Sequence, residues 1–419
     1  MPLLTRVGIV AVSLGLTLPL LANDWPQWRG PDRSGISKET GLLQEWPANG
    51  PPLRWKAEKI GSGYSSPAVA NGRVYIQTTK GNDEFALALD EKTGKELWSS
   101  PIGTVGKNEG PQYPGTRSTP TVDGDRLYCL SSAGQLSCLD SSGEAKWRKD
   151  LVKSYGGRVG QEKKSWAYSE SVLVDGNAVV CTPGGDTATL LALNKISGEV
   201  IWKSPIPGGD AADYASIVTI EVSGVKQYVQ FLRKAVVGVD AKTGKFLWRD
   251  ARTAGPGANI LTPIALGNRV FSSSGQGGGG LVELTAASGG ITTKEIYFDK
   301  ALGAGIGGAV VVDGYLYGTT SQVLFCADFA TGKVKWSERG VGAASITYAD
   351  GRIYLHGHSG DVALIEPTPT GYTEKGRFKQ PDRGDRPAWP HPVIANGGLF
   401  LRDQGVLLCY DVRATKPGQ

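Results

Sequence analysis

The chain has 419 residues, 20% of them charged, with 45 basic and 40 acidic side chains and a formal net charge of +5. A chain of this length ordinarily divides into two or three domains, but 59 glycines, 24 prolines and a single methionine exclude a mainly helical protein. The basic residues are scattered, the densest run being Lys163-Lys164, and this argues against a nucleic-acid surface.

The N-terminal stretch stands apart. Arg6 precedes an almost wholly apolar run over 7–21, broken by Pro19, and Leu20-Leu21-Ala22 leads into the polar Asn23-Asp24. This pattern predicts a secretory signal peptide over 1–22, cleaved near Ala22; the run is too short for a comfortable membrane span. No second apolar stretch could cross a bilayer, so a periplasmic or secreted protein is expected. Next comes the segment 23–51, with Trp25, Trp28 and Trp46. Exposed tryptophans are costly, so it is expected to pack across one face or an outer edge of the domain formed by the rest of the chain.

From there a phrase recurs. It reads Ala88-Leu89-Asp90, Thr93-Gly94-Lys95, Trp98, then Cys138-Leu139-Asp140, Ser142-Gly143, Trp147. It returns as Ala192-Leu193-Asn194, Ser197-Gly198, Trp202; as Gly238-Val239-Asp240, Thr243-Gly244-Lys245, Trp248; and as Cys326-Ala327-Asp328, Thr331-Gly332-Lys333, Trp336. The first four copies lie about 45–55 residues apart, in the range of propeller blades. A full unit runs Ser66-Pro67-Ala68-Val69, Asn71-Gly72, Phe85 to Leu89, the Asp90 turn and Trp98: four short β-rich segments separated by turn signals. A four-stranded sheet cannot bury both faces alone, and radial packing into a closed ring solves this.

Opening segments count eight units: Ser66, Thr119, Ser171, Ser216, Thr262, Gly308, Ser345 and His391. The fifth and seventh lack the Asp…Gly…Trp signature. The eighth stops at Tyr410-Asp411-Val412 without a final Trp strand, and Pro52-Leu53-Arg54-Trp55-Lys56 is predicted to supply it. The expectation is an all-β fold: one eight-bladed propeller of four-stranded antiparallel blades over 52–413, closed by an N-terminal strand, with a tail over 414–419. Seven blades is the alternative count.

Three of the five cysteines, Cys138, Cys326 and Cys409, fill a slot two residues before the blade acid, where Ala88, Ala192 and Gly238 stand elsewhere. That column takes a small buried residue. Cys129 and Cys138 could face each other across one hairpin, which leaves a disulfide open in an exported protein.

These segments, with Asp24-Trp25-Pro26-Gln27-Trp28-Arg29-Gly30-Pro31 and Leu401-Arg402-Asp403-Gln404, make the chain resemble the PQQ-like β-propeller repeat proteins. That family includes BamB-type outer-membrane assembly factors and the propellers of quinoprotein dehydrogenases. The resemblance covers essentially the whole chain after the leader. It implies the fold and leaves activity open, because one fold hosts many functions.

In such a ring the loops leading into the innermost strands gather on one face. The residues just upstream of the opening segments are Tyr64, Arg117, Tyr168, Tyr214, Asn259 and Trp389, joined by His391. They are expected to bind a planar or sugar-like anionic ligand, or to plug the channel. Insertions at 107–116 and 153–166 carry Tyr113, Tyr155 and Trp166 and suit contact with a protein or glycan. The expected function is therefore a non-catalytic binding or scaffold protein for an envelope protein or ligand on one ring face, with no cofactor assigned and no reason to expect more than a monomer.

The alternative implied by the resemblance is a dehydrogenase dependent on PQQ and Ca²⁺. It would need a catalytic acid as base and oxygen ligands for the ion. Glu170 and Asp213 are the acids nominated; there is no Cys-Cys pair, and the sixth unit opens through Gly303-Ala304-Gly305-Ile306-Gly307-Gly308 without a ligand side chain. His356-x-His358 has chelating spacing on a strand, but no third ligand is evident and no metal is assigned.

Overall fold

The computed structural model describes residues 23–107, 115–161, 164–288 and 290–414. The expected leader, most of the 107–116 insertion including Tyr113, Lys163 and nearly all of the tail lie outside them. The described chain forms eight sheets, seven of four strands and one of five. Blades 1 to 7 occupy 68–104, 121–150, 173–204, 218–250, 264–299, 309–338 and 344–379, each an antiparallel meander in chain order. Blade 8 takes three strands from 393–411 and its fourth from Leu53–Glu58, which pairs antiparallel with Val406–Asp411. The ring is closed as the sequence predicts, with eight blades.

The apolar side chains form eight clusters, one at each seam between neighbouring blades. Each strand buries alternate residues against one neighbour or the other, so both faces of every sheet leave water. Cys129 pairs with Ser137 and Cys138 with Tyr128, which puts the two thiols on opposite faces of blade 2. They serve different seams, and all five cysteines are free and buried, which corrects the cross-hairpin pairing.

The recurring phrase is a staple between blades. The acid opens the turn: Asp90 Oδ1 accepts from Thr93 N–H and Oγ1–H at 2.8 and 2.7 Å, and Asp240 does the same for Thr243. The Trp of one blade then donates its Nε1–H to the carbonyl just past the turn-opening Asp or Asn of the next. Trp55 reaches Glu91, Trp98 Ser141, Trp147 Lys195 and Trp202 Ala241, at 2.8–3.2 Å. The indole lies over the turn glycine, where a side chain would collide with it: a Cβ on Gly198 would stand 2.9 Å from Trp147 and one on Gly244 2.5 Å from Trp202. Where the signature lapses, substitutes appear. Tyr297 of blade 5 covers Gly332 and donates to Phe329 O at 3.1 Å. Trp248, facing a blade without the turn, folds back over its own Gly238 and bonds Gln227 Oε1 at 2.7 Å.

The segment 24–39 lies at the centre of the ring and bonds to every blade or its lead-in. Trp25 exchanges two 2.8 Å backbone bonds with Val69 of blade 1, and Pro26 O accepts from Val122 of blade 2. Arg33 donates to the carbonyls of Ser171, Val172 and Ile217, leading into blades 3 and 4. Trp28 Nε1–H reaches Thr262 Oγ1 before blade 5, and Arg29 Nη2–H reaches Ala309 O of blade 6. Ile36–Ser37 adds a parallel strand to blade 7, and Glu39 Oε2 accepts from Gly397 N–H of blade 8.

Candidate functional site

This central segment turns the axial channel into a blind cavity. Trp28 and Arg29 form the floor; the lead-in residues of the inner strands form the walls. The cavity holds about 80 Å³ that the centre of a water molecule can reach, enough for several waters or one small polar group.

Six residues nominated from the sequence line it: Tyr64, Arg117, Trp166, Tyr214, Trp389 and His391. They make one cluster. Tyr64 and Trp389 stack at a centroid distance of 4.6 Å, and Trp166 and Tyr214 at 5.1 Å. Arg117 bridges the pairs: its guanidinium sits 5.4 Å from the Tyr64 ring and 5.9 Å from the Trp389 ring, and its Nη1 donates to Gly115 O and Trp166 O. Burial lowers the Arg117 pKa, while Tyr64, Tyr214 and Glu84 oppose that shift. Tyr214 also accepts the Trp166 N–H at 3.0 Å, so the 153–166 insertion is tied to the rim. The insertion opens with a short helix, Leu151–Tyr155, capped by the Asp150 side chain and by Gly156 in the left-handed conformation.

Two nominated residues stand elsewhere. Tyr168 is buried behind the wall, its hydroxyl donating to Pro183 O at 2.7 Å. Asn259 spends its amide inside the scaffold, donating to Leu232 O and Arg233 O and accepting from Gly255 N–H. Both do sit in the lead-in loops, as their place in the repeat implies; each loop turns the side chain away from the axis.

The nominated acids also face away from the cavity. Glu170 is buried and accepts from Thr182 N–H and Oγ1–H at 2.8 and 2.9 Å and from Gln230. Burial pushes it up to about 8 against those bonds and the nearby Arg33. Asp213 accepts from Asn259 N–H at 3.0 Å and meets Arg233 at 3.4 Å; burial pushes it up to about 7. Among the described residues, no carboxylate lines the axial cavity. His356 is buried, its two nitrogens facing Pro390 O and Gln380 Oε1, and His358 lies beyond the end of the strand Arg352–Gly357. They do not share a strand face toward an ion, and the described residues contain no His, Cys, Asp and Glu cluster able to hold one.

Sequence reasoning missed Arg29 and Arg33. Both are buried, with no carboxylate within salt-bridge distance among the described residues. Burial pushes Arg29 down to about 10 and Arg33 to about 9, the latter partly offset by Glu170. The signal available was two arginines in a Trp, Gly and Pro-rich run directly before the first repeat.

A ring of radially stacked four-stranded sheets with Trp-stapled turns and an axial cavity is a PQQ-like β-propeller. The chain belongs to the family described as outer membrane protein assembly factor BamB, whose model matches residues 33–101 and 82–338, more than half of its length. It is similar to the crystal structure of BamB from Moraxella catarrhalis, with 12% identity and a TM-score of 0.60 over 85% of this chain and 98% of that one. It is similar at a TM-score of 0.57 and 10% identity to a computationally designed protein, Ika8, over 86% of this chain and all of that one. These likenesses show the fold alone. Among curated proteins, a tetrathionate hydrolase of Acidithiobacillus ferrooxidans is 24% identical over 401 residues, covering 74% of this chain and 75% of that protein. No helix among the described residues is long and apolar enough to cross a membrane.

Proposed function

We propose that this protein is a non-catalytic binding protein of the cell envelope, exported to the periplasm or beyond, whose lead-in face takes a protein or ligand at the mouth of the axial cavity. The observation that carries this reading is the Arg117 cluster: two aromatic pairs bridged by one guanidinium at the rim of a blind cavity. Tyr, Trp and Arg in a half-desolvated pocket are the residue types that dominate binding energy at interfaces. Membership of the BamB-described family supports a protein partner.

The dehydrogenase reading meets a mismatch of donors. Ca²⁺ takes six to eight oxygens, carboxylates prominent among them. Here the described cavity lining has no carboxylate: Glu170 gives its oxygens to Thr182 and Gln230, and Asp213, whose Oδ2 meets Asn259 and Arg233, also stands outside the lining. The residues present do not fit the ion beside a quinone.

The test has two arms. Arg117→Ala and Trp166→Ala should each reduce capture of an envelope partner while the melting temperature holds; undiminished capture overturns the assignment of this face. A melting temperature raised by PQQ and Ca²⁺ together, and by neither alone, overturns the non-catalytic reading.

A further inference from the structure

The floor of the axial cavity holds a charge that the fold leaves unanswered. Arg29 is 3% exposed, and its guanidinium is fixed by Nε–H to Arg33 O and Nη2–H to Ser34 O and Ala309 O. Its Nη1 is buried against the cavity and has no hydrogen-bond partner among the described residues. That atom lies beside Gly308, where a Cβ would come within 2.9 Å of it, so a side chain at this position would crowd the guanidinium edge. A buried donor without an acceptor is costly, more so when it carries charge.

The same cavity is lined by four hydroxyls, each already used as an acceptor. Ser66 Oγ accepts from His391 N–H and Ser171 Oγ from Thr119 N–H, both at 2.8 Å. Ser216 Oγ accepts from Ser171 N–H at 3.0 Å, and Thr262 Oγ1 from Trp28 Nε1–H at 2.9 Å. None has an acceptor for its own hydrogen among the described residues, and all four line the cavity. A hydroxyl that already accepts an N–H still has its own hydrogen to donate. The described lining therefore presents cationic and hydroxyl donors and no carboxylate.

We infer that the cavity is an oxyanion site, in which Arg29 Nη1 and the hydroxyls of Ser66, Ser171, Ser216 and Thr262 hold a carboxylate, sulfate or phosphate group, with Arg117 closing over it. Charge-assisted bonds from a guanidinium, in a cleft shielded from water, are the chemistry that selects such a group. The inference rests on the cavity being a binding site, as proposed above, but not on a protein being its occupant.

The test is calorimetric titration of the purified protein with sulfate, phosphate and succinate separately, against chloride at constant ionic strength. Saturable binding of at least one is expected, with the preferred one naming the group's class; no saturation by any of the three overturns the site. Arg29→Gln should weaken that binding at least about tenfold, and unchanged affinity in the folded variant overturns the role of Arg29. Should that variant fail to fold, crystals of the unaltered protein grown with selenate decide. An anomalous peak within hydrogen-bond distance of Arg29 Nη1 supports the site, and a peak elsewhere or none overturns it. Loss of partner capture with anion binding intact would remove the protein-partner reading and leave this one standing.

Discussion

Substituting alanine at two glycines of blade 4 separates backbone conformation from the Trp staple. Gly224 and Gly244 have nearly equal φ angles, 78° and 72°. A Cβ on Gly224 meets nothing within 4 Å, whereas one on Gly244 stands 2.5 and 2.7 Å from Trp202 ring atoms. Both substitutions place an L-residue in the left-handed region, at about 1–2 kcal/mol, partly offset by a stiffer unfolded chain. Gly244→Ala must also displace an indole that is 8% exposed and bonded to Ala241 O. Overpacking of this kind costs about 1–3 kcal/mol. Equilibrium urea denaturation should therefore find Gly244→Ala less stable than Gly224→Ala by that further amount. The excess should disappear in a Trp202→Leu background, as a double-mutant cycle isolates the pair. Equal losses in the two glycine variants, or an excess that survives without the indole, would refute the staple.

Buried groups give two further expected outcomes. Burial raises Glu170 to about 8 and Glu84 and Asp213 to about 7; the folded state therefore holds protons that the unfolded state releases, and stability should fall as pH rises toward each folded value and level off beyond it, so that between pH 7 and 8 the loss is chiefly that of Glu170, at up to about 1.4 kcal/mol per unit. Histidines do not confuse this window, because burial lowers all three and they are neutral in both states there; urea midpoints for Glu170→Gln should give a shallower slope, and an unchanged slope would sink the assignment. The five buried thiols, with Cys409 pushed up to about 12 by burial, should ignore a thiol reagent in the native protein and all react after unfolding; fewer than five on unfolding would indicate a disulfide.

Blade count and closure were legible in the sequence because each rests on a local signal. The Asp…Gly turn is a contact within five residues, and the Trp marks the strand after it. Even the missing final strand could be placed, because Trp55 repeats the pattern. Much of the cavity rim was legible for the same reason: a frame of repeats says which residues precede an inner strand. What the frame does not say is how each lead-in loop turns, and so Tyr168 and Asn259 stand behind the wall that their spacing assigns them to. The floor was harder still. The partners through which Arg29 and Arg33 reach the blades are backbone carbonyls 138 to 280 residues away, and a carbonyl leaves no mark in the sequence.

The central segment has a consequence for the ring as a repeat. Similar units stacked in a circle can, in principle, gain or lose a member and close again. Here Trp25, Pro26, Trp28, Arg29, Arg33, Ile36 and Glu39 each address a different position around the axis, through contacts that are not interchangeable. A ring of seven or nine would leave one of those addresses vacant or one inner strand unmatched. The segment thus acts as a key cut for eight, and it gives formally equivalent blades distinct identities, which is what a site built from single residues of many blades requires.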